Sequence, residues 1–190
     1  MKKPDIDIDL ANRDQVLALI PHIAARQVHD QKHRRHNSGV YVTPIPYDPV
    51  NDCAAIDYRE AEERGYFKLD LLNMTVYQGI RDQGHYQELL DQPPPWHRLQ
   101  EKEFVERIVH INNHYGLLQT MSEPVNSIPR MAMFLALIRP GKRYLVGKTW
   151  QDISGTIWDS TDEGYSFKKS HAVSYAVLVG LHMNLINTSD

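Results

Sequence analysis

Residues 4–10 read Pro-Asp-Ile-Asp-Ile-Asp-Leu, and this alternation restricts the fold more than any other stretch of the chain. Acidic and apolar residues exchange places at every step, which is the period of a pleated strand and not of a helix. Ile6, Ile8 and Leu10 therefore share one face, and Asp5, Asp7 and Asp9 share the other. Acids lined up on one face repel each other, so such a strand either turns them to water at a sheet edge or offers them to cations. Carboxylates at i and i+2 lie roughly 7 Å apart. That span suits two cations held about 3.5–4 Å apart, the spacing of two-metal phosphoryl transfer.

The rest of the first half mixes helix and strand signals. Asn12 predicts a helix cap with Gln15 at the reciprocal position. Val16, Leu17, Leu19, Ile20 and Ile23 then give a helical apolar stripe, which Pro21 kinks or ends. Residues 26–37, Arg-Gln-Val-His-Asp-Gln-Lys-His-Arg-Arg-His-Asn, are the one basic cluster and read as a solvated loop or one that touches phosphate. His29 and His33 at i, i+4, followed by His36, also have zinc-ligand spacing. A strand is expected over 39–43, and a stiff loop around Pro44, Pro46 and Pro49. A helix is expected from Tyr58 to Arg64, capped by Asp57 and ended by Gly65. A further strand, Tyr66 to Leu72, places Lys68 and Asp70 on one face and Phe67, Leu69 and Leu71 on the other. Asp70 would thus supply a third carboxylate and Lys68 a cation for a triphosphate. Magnesium, which takes few carboxylates and shares its shell with substrate phosphates, fits such a set.

Pro93-Pro94-Pro95 suggests a break between a region 1–90 and a region 91–190. The second region reads as helical over Glu101 to His110, Ser127 to Ile138 and Ser170 to Ile186, with Arg139-Pro140-Gly141 stopping the second helix. Met131, Met133, Phe134, Leu135 and Leu137 are expected in the core. Ser170 is the expected cap of the last helix, where Lys168 and Lys169 add positive potential for a phosphate. The expected fold class is α+β, a small mixed sheet followed by a mostly helical half.

Composition narrows the function classes. At 190 residues, with 42% apolar and 24% charged residues, the chain is long and apolar enough for a core, which excludes disordered, collagen-like and coiled-coil readings. A net charge of −3 excludes a general polyanion binder, so any nucleic-acid site is local. Cys53 is the single cysteine, which excludes an internal disulfide and fits a reducing cytoplasm; no nucleophile–base arrangement surrounds it. Met1 to Asp5 lacks a signal peptide's apolar stretch, and Ala172 to Ile186 is too short to span a bilayer. A soluble cytoplasmic protein with no membrane partner is expected.

Taken together, the motifs resemble the C-family bacterial DNA polymerase III alpha subunit in reduced form. Pro4 to Leu10 followed by Asn12-Arg-Asp-Gln-Val16 is similar to that family's first palm motif. His36-Asn-Ser-Gly-Val-Tyr-Val-Thr-Pro44 is similar to its His-x-x-Gly-Val segment, and Asp57 to Leu72 to its second palm motif. Leu118 to Met121 and Ala136 to Gly141 resemble the entry to the fingers. Gly164-Tyr-Ser-Phe-Lys-Lys-Ser-His-Ala-Val-Ser-Tyr-Ala176 resembles the family's Gly-Tyr-x-Phe-x-Lys-Ser-His block. The resemblance touches residues 4–20, 36–80 and 117–186 in the family's order.

The resemblance implies a nucleotidyltransferase-like palm with reduced, helical fingers. It implies two magnesium ions on Asp7, Asp9 and Asp70, with Asp5 as a further participant. Lys68, Arg139 and Lys169 would contact the nucleotide, and Arg34, Arg35, His36 and Lys168 the nucleic acid. The substrates would be primer–template DNA and deoxynucleoside triphosphates. The family's phosphoesterase-type domain, thumb and C-terminal modules have no counterpart, and Asn73 stands where a glycine is usual. A processivity or replisome partner is therefore expected, and so compact a core would suit a small genome such as a phage's. A non-catalytic DNA- or replisome-binding relative is the second class, and a metal-dependent nuclease the third.

Overall fold

The computed structural model describes residues 6–30, 32–159 and 167–189, so Asp5 and Gly164, Tyr165 and Ser166 lie outside the described residues. The chain divides into two compact units, residues 1–79 and 80–190.

The first unit holds a mixed four-stranded sheet in the order β1-β6-β3-β2. β1 (Ile6–Leu10) is an edge strand and runs parallel to β6 (Leu69–Asn73). β6 is antiparallel to β3 (Lys32–Tyr41), which is antiparallel to β2 (Ile23–His29). The parallel pair needs a long crossover, and β2, β3, the short strands β4 (Tyr47–Asp48) and β5 (Cys53–Ala54), and α2 (Tyr58–Glu63) fill it. The predicted caps of this unit hold. Asn12 Oδ1 accepts from the N–H groups of Asp14 and Gln15, at 3.1 and 3.2 Å, and starts α1 (Arg13–Leu17). Asp57 Oδ1 accepts from Arg59 N–H at 2.9 Å and starts α2, and Gly65 leaves the helix at φ 89°.

Two expectations for this unit are corrected. The helical stripe through Ile23 does not form: α1 stops at Leu17, Leu19 is exposed, and Ile23 begins β2. Pro21 removes the N–H a continuing helix would need. The basic stretch is no loop, because residues 26–29 and 32–35 pair as a β-hairpin around Asp30 at φ 48°. The unit's core is small, with Ala25, Tyr41, Ile45, Ala54 and Ala61 buried and Ile23, Ile56, Tyr58 and Tyr66 against them. Ile6 and Ile8, on the apolar side of β1, remain 43% and 37% exposed, as an edge strand allows.

The second unit is helical: α3 (Gln83–Asp91), α4 (Lys102–Val105), α5 (Tyr115–Gln119), α6 (Ile128–Leu137), α7 (Trp150–Thr156) and α8 (Lys169–Asn187). α6 packs along α8, and Met131, Phe134, Leu135, Leu137, Val179 and Met183 are buried in its core, as the sequence pattern requires for α6. Pro94 packs on Gly180 of α8, where an added Cβ would lie 2.9 Å from Pro94 Cγ. Asn184, 3% exposed, donates to Leu89 O at 2.8 Å and Gln92 O at 2.9 Å, closing the end of α3. Ser170 is not the cap of α8: the helix starts at Lys169, with Lys168 at the cap position and no side-chain cap bond. Among the described residues no helix is long and apolar enough to cross a membrane.

Candidate active site

Strand pairing brings the acids together. In the β1–β6 ladder Asp7 lies opposite Asp70, and Asp9 opposite Leu72. Register partners share a face, as do i and i+2 on one strand, so Asp7, Asp9 and Asp70 occupy one face across two adjacent strands. Asp7 is exposed, Asp9 half-buried and Asp70 buried. On the third strand Gly39 is the partner of Asp70, so Asp70 sits between Asp7 and a residue with no side chain.

Gly39 is required there by a close approach. A Cβ on it would lie 2.7 Å from Lys68 Cδ and 3.1 Å from His36 Nδ1. Lys68 thus runs across the backbone of β3, and its ammonium donates to Asp70 Oδ2. Ser38 Oγ donates to the other oxygen, Asp70 Oδ1, at 2.8 Å. Both oxygens of the central carboxylate are held.

A bulge aims these groups. Ala24 pairs with Val40 but Arg26 with Arg35, so residues 36–39 of β3 face Ala25 alone. Bulges re-aim side chains next to sites, and here the bulge is tied from within. His36 Nδ1 accepts from Gly39 N–H at 2.9 Å and from Ser38 N–H at 3.3 Å. A nitrogen accepting these bonds carries no proton, so its 3.7 Å approach to Asp70 Oδ1 is the contact of a neutral ring and not an ion pair. Burial, and then the nearby Lys68, hold the His36 pKa below the ordinary imidazole value. The Tyr58 ring closes this side, edge-on to His36 at 5.1 Å between centroids and 5.7 Å from Lys68 Nζ.

The remaining sequence candidates fall in two places. Arg34 is exposed on the hairpin, whereas Arg35 ion-pairs with Asp52 and its Nε donates to Asn51 O at 3.4 Å. His29 and His33 sit on opposite faces of that hairpin, because their partners Lys32 and Val28 are neighbours out of phase. Zinc spacing on a helix is therefore not zinc geometry here. Arg139, Lys168 and Lys169 belong to the second unit. Arg139 lies 4.5 Å from the centroid of the Phe167 ring, and its Nε is buried with no hydrogen-bond partner. Lys169 Nζ lies 5.8 Å from the Trp158 ring centroid.

Sequence reasoning missed Ser38, Tyr58, Asp48 and Asp52. Asp48 holds Arg26 as Asp52 holds Arg35. Asn51 Nδ2 donates to Asp48 first of all, and with further N–H donors and Arg26 it draws the Asp48 carboxyl down to about 2. Nothing local marks these residues, since their roles arise only when the bulge and the β4–β5 turn meet β2 and β3.

The donor set fits magnesium in kind, with hard carboxylate oxygens on one face. Among the described residues, however, no three His, Cys, Asp or Glu side chains are gathered closely enough to hold an ion. The central carboxylate is instead turned to Lys68 and Ser38. No family model, curated protein or solved structure matches the chain.

Proposed function

We propose that this chain is a minimal palm-type nucleotidyltransferase that adds deoxynucleotides to a primer 3′-hydroxyl. The observation that carries the reading is the register of β1 on β6, which sets Asp7 opposite Asp70 with Asp9 two residues along and Lys68 beside them. Two magnesium ions held by Asp7, Asp9 and Asp70 would lower the pKa of the attacking hydroxyl and stabilise the leaving pyrophosphate.

The chain's own groups have separable tasks. Ser38 holds one oxygen of Asp70 and so fixes its orientation. His36 keeps the bulge closed and thereby keeps Ser38 in place. Lys68, with three N–H donors, exchanges Asp70 for a triphosphate oxygen as nucleotide arrives. That exchange would leave one carboxylate oxygen of Asp70 available to hold a cation. Arg34 would add a contact to the template–primer. A replisome partner would supply processivity.

The test is primer–template extension with Mg²⁺ and labelled deoxynucleotides, with Asp70→Asn beside the wild type. Losing a ligand that provides several kcal/mol of charge stabilisation should slow extension on the order of 10²-fold or more. Extension retained in Asp70→Asn would remove Asp70 from the mechanism. One observation favours a second reading, a non-catalytic nucleic-acid-binding relative: Asp70 is already satisfied by Lys68 and Ser38. No extension by the wild type at saturating DNA would decide for it.

A further inference from the structure

β2 and β3 outrun the sheet. β3 meets β6 only at Gly39 and Val40, so its paired residues 32–35 continue with β2 as an arm beyond the sheet, where Asp57 borders the other edge of β2 by a bridge to Arg26 and by accepting from Val28 N–H at 2.9 Å. The register Arg26–Arg35, Gln27–Arg34, Val28–His33 and His29–Lys32 divides the arm into two faces. Arg26, Val28, His33 and Arg35 make the first, which is electrically closed. Asp48 holds Arg26, Asp52 holds Arg35, and Arg26 Nη1 donates to His33 Nδ1 at 3.2 Å.

Gln27, His29, Lys32 and Arg34 make the second face, and it is electrically open. Lys32 and Arg34 are exposed, and neither has an acidic partner among the described residues. The one acid here is Asp30 at the turn, 3.0 Å from His29. Side chains on one strand face at i, i+2 stand roughly 7 Å apart, close to the spacing of successive phosphates along a strand.

We infer that the Gln27–His29–Lys32–Arg34 face of the arm binds the phosphate backbone of duplex DNA. Lys32 and Arg34 each neutralise a phosphate, and Gln27 adds a neutral amide donor. Arg35, adjacent in sequence, is excluded because its charge is spent on Asp52. The inference rests on the polymerase reading only for the purpose of the duplex; the contact itself follows from the charge division of the arm.

The test is fluorescence anisotropy of a labelled duplex titrated with the full chain, without Mg²⁺ or nucleotide, from 0.05 to 0.3 M salt. Each phosphate contact contributes about 0.9 to the slope of log K against log salt. Lys32→Gln/Arg34→Gln should therefore flatten the slope by about 2 and weaken binding roughly 10- to 60-fold at 0.1 M salt. Arg35→Gln/Asp52→Asn, which deletes a closed pair at no net charge change, should leave the slope unaltered. A folded Lys32→Gln/Arg34→Gln variant with the wild-type slope overturns the inference. So does binding of heparin or single-stranded DNA as tight as that of the duplex, which would reassign the face to polyanions at large. Failed extension with arm-dependent binding intact would sink the polymerase reading alone, and active extension with an unchanged slope would sink the arm alone.

Discussion

Acidification should destabilise this protein through His110 in particular. The residue sits at φ 66° and stacks on Tyr175, with centroids 4.2 Å apart and planes 21° apart. Its Nε2 is buried with no hydrogen-bond partner. Burial first, then Arg139, His171 and His182 nearby, push its pKa from 6.5 down to about 4. The sign follows from linkage. The unfolded chain takes up the proton at the ordinary imidazole value and the folded chain resists it, so stability is full above pH 6.5 and falls progressively toward pH 4. With those two values the loss at pH 5 relative to pH 8 is about 2 kcal/mol for a fully buried ring, and about 1–2 kcal/mol once its partial exposure is allowed for. Burial also lowers His36, His114 and His182, which lose stability in the same direction. Asp48, drawn down to about 2, stays ionised at pH 5 and does not confuse the reading. The assay is thermal denaturation of wild type and His110→Asn at pH 8 and pH 5. Asparagine tolerates the left-handed backbone and does not titrate, so the variant loses the pH term while the loss of stacking affects both pH values. At about 2–4 °C per kcal/mol for a chain of this size, the gap between the two melting temperatures should narrow by about 2–8 °C. An undiminished gap in His110→Asn would refute the assignment of acid sensitivity to this ring.

Two further substitutions probe packing. Gly39→Ala should cost about 1–3 kcal/mol in chemical denaturation, because its Cβ would strike Lys68 while Asp70 holds that side chain in place; a neutral effect would mean that Lys68 is not seated across β3. Asn184→Ala strips the Leu89 and Gln92 carbonyls of their donor and should cost about 1–3 kcal/mol, read from the denaturation midpoint at unchanged slope.

The sequence was most readable where structure is local. The alternation of residues 6–10, the caps at Asn12 and Asp57 and the Gly65 stop depend on neighbours a few positions away, and each holds. Lys68 does meet Asp70 as their spacing suggests, although the strand expected from Tyr66 begins only at Leu69 and Lys68 reaches the carboxylate from just before it. The hairpin of 26–35 was hidden because Arg, His, Gln and Lys have weak strand preference. Its arginines Arg26 and Arg35 find their partners in Asp48 and Asp52, beyond the reach of any short window. The stripe ending at Ile23 kept helical spacing by coincidence, with its last member already in the next strand. Ser38 carried no mark, since its hydroxyl meets Asp70 only after three extra residues bulge from β3.

The parallel pairing of β1 with β6 also governs when the acidic face comes into being. Arg13 N–H, at the start of α1, donates to Asn73 Oδ1 at 2.6 Å, sixty residues away, and so fastens the end of the same ladder. Closing a loop of that length costs on the order of 3–4 kcal/mol of chain entropy before any contact offsets it. On a growing chain β1 would therefore precede its partner by about sixty residues, as a strand with isoleucines along one side. Such a strand is a template for association with others of its kind, and charged residues on it are the usual protection. Asp7 and Asp9 would serve the protein twice: first as chaperoning charges on an orphan strand, and later, opposite Asp70, as the face of a finished site.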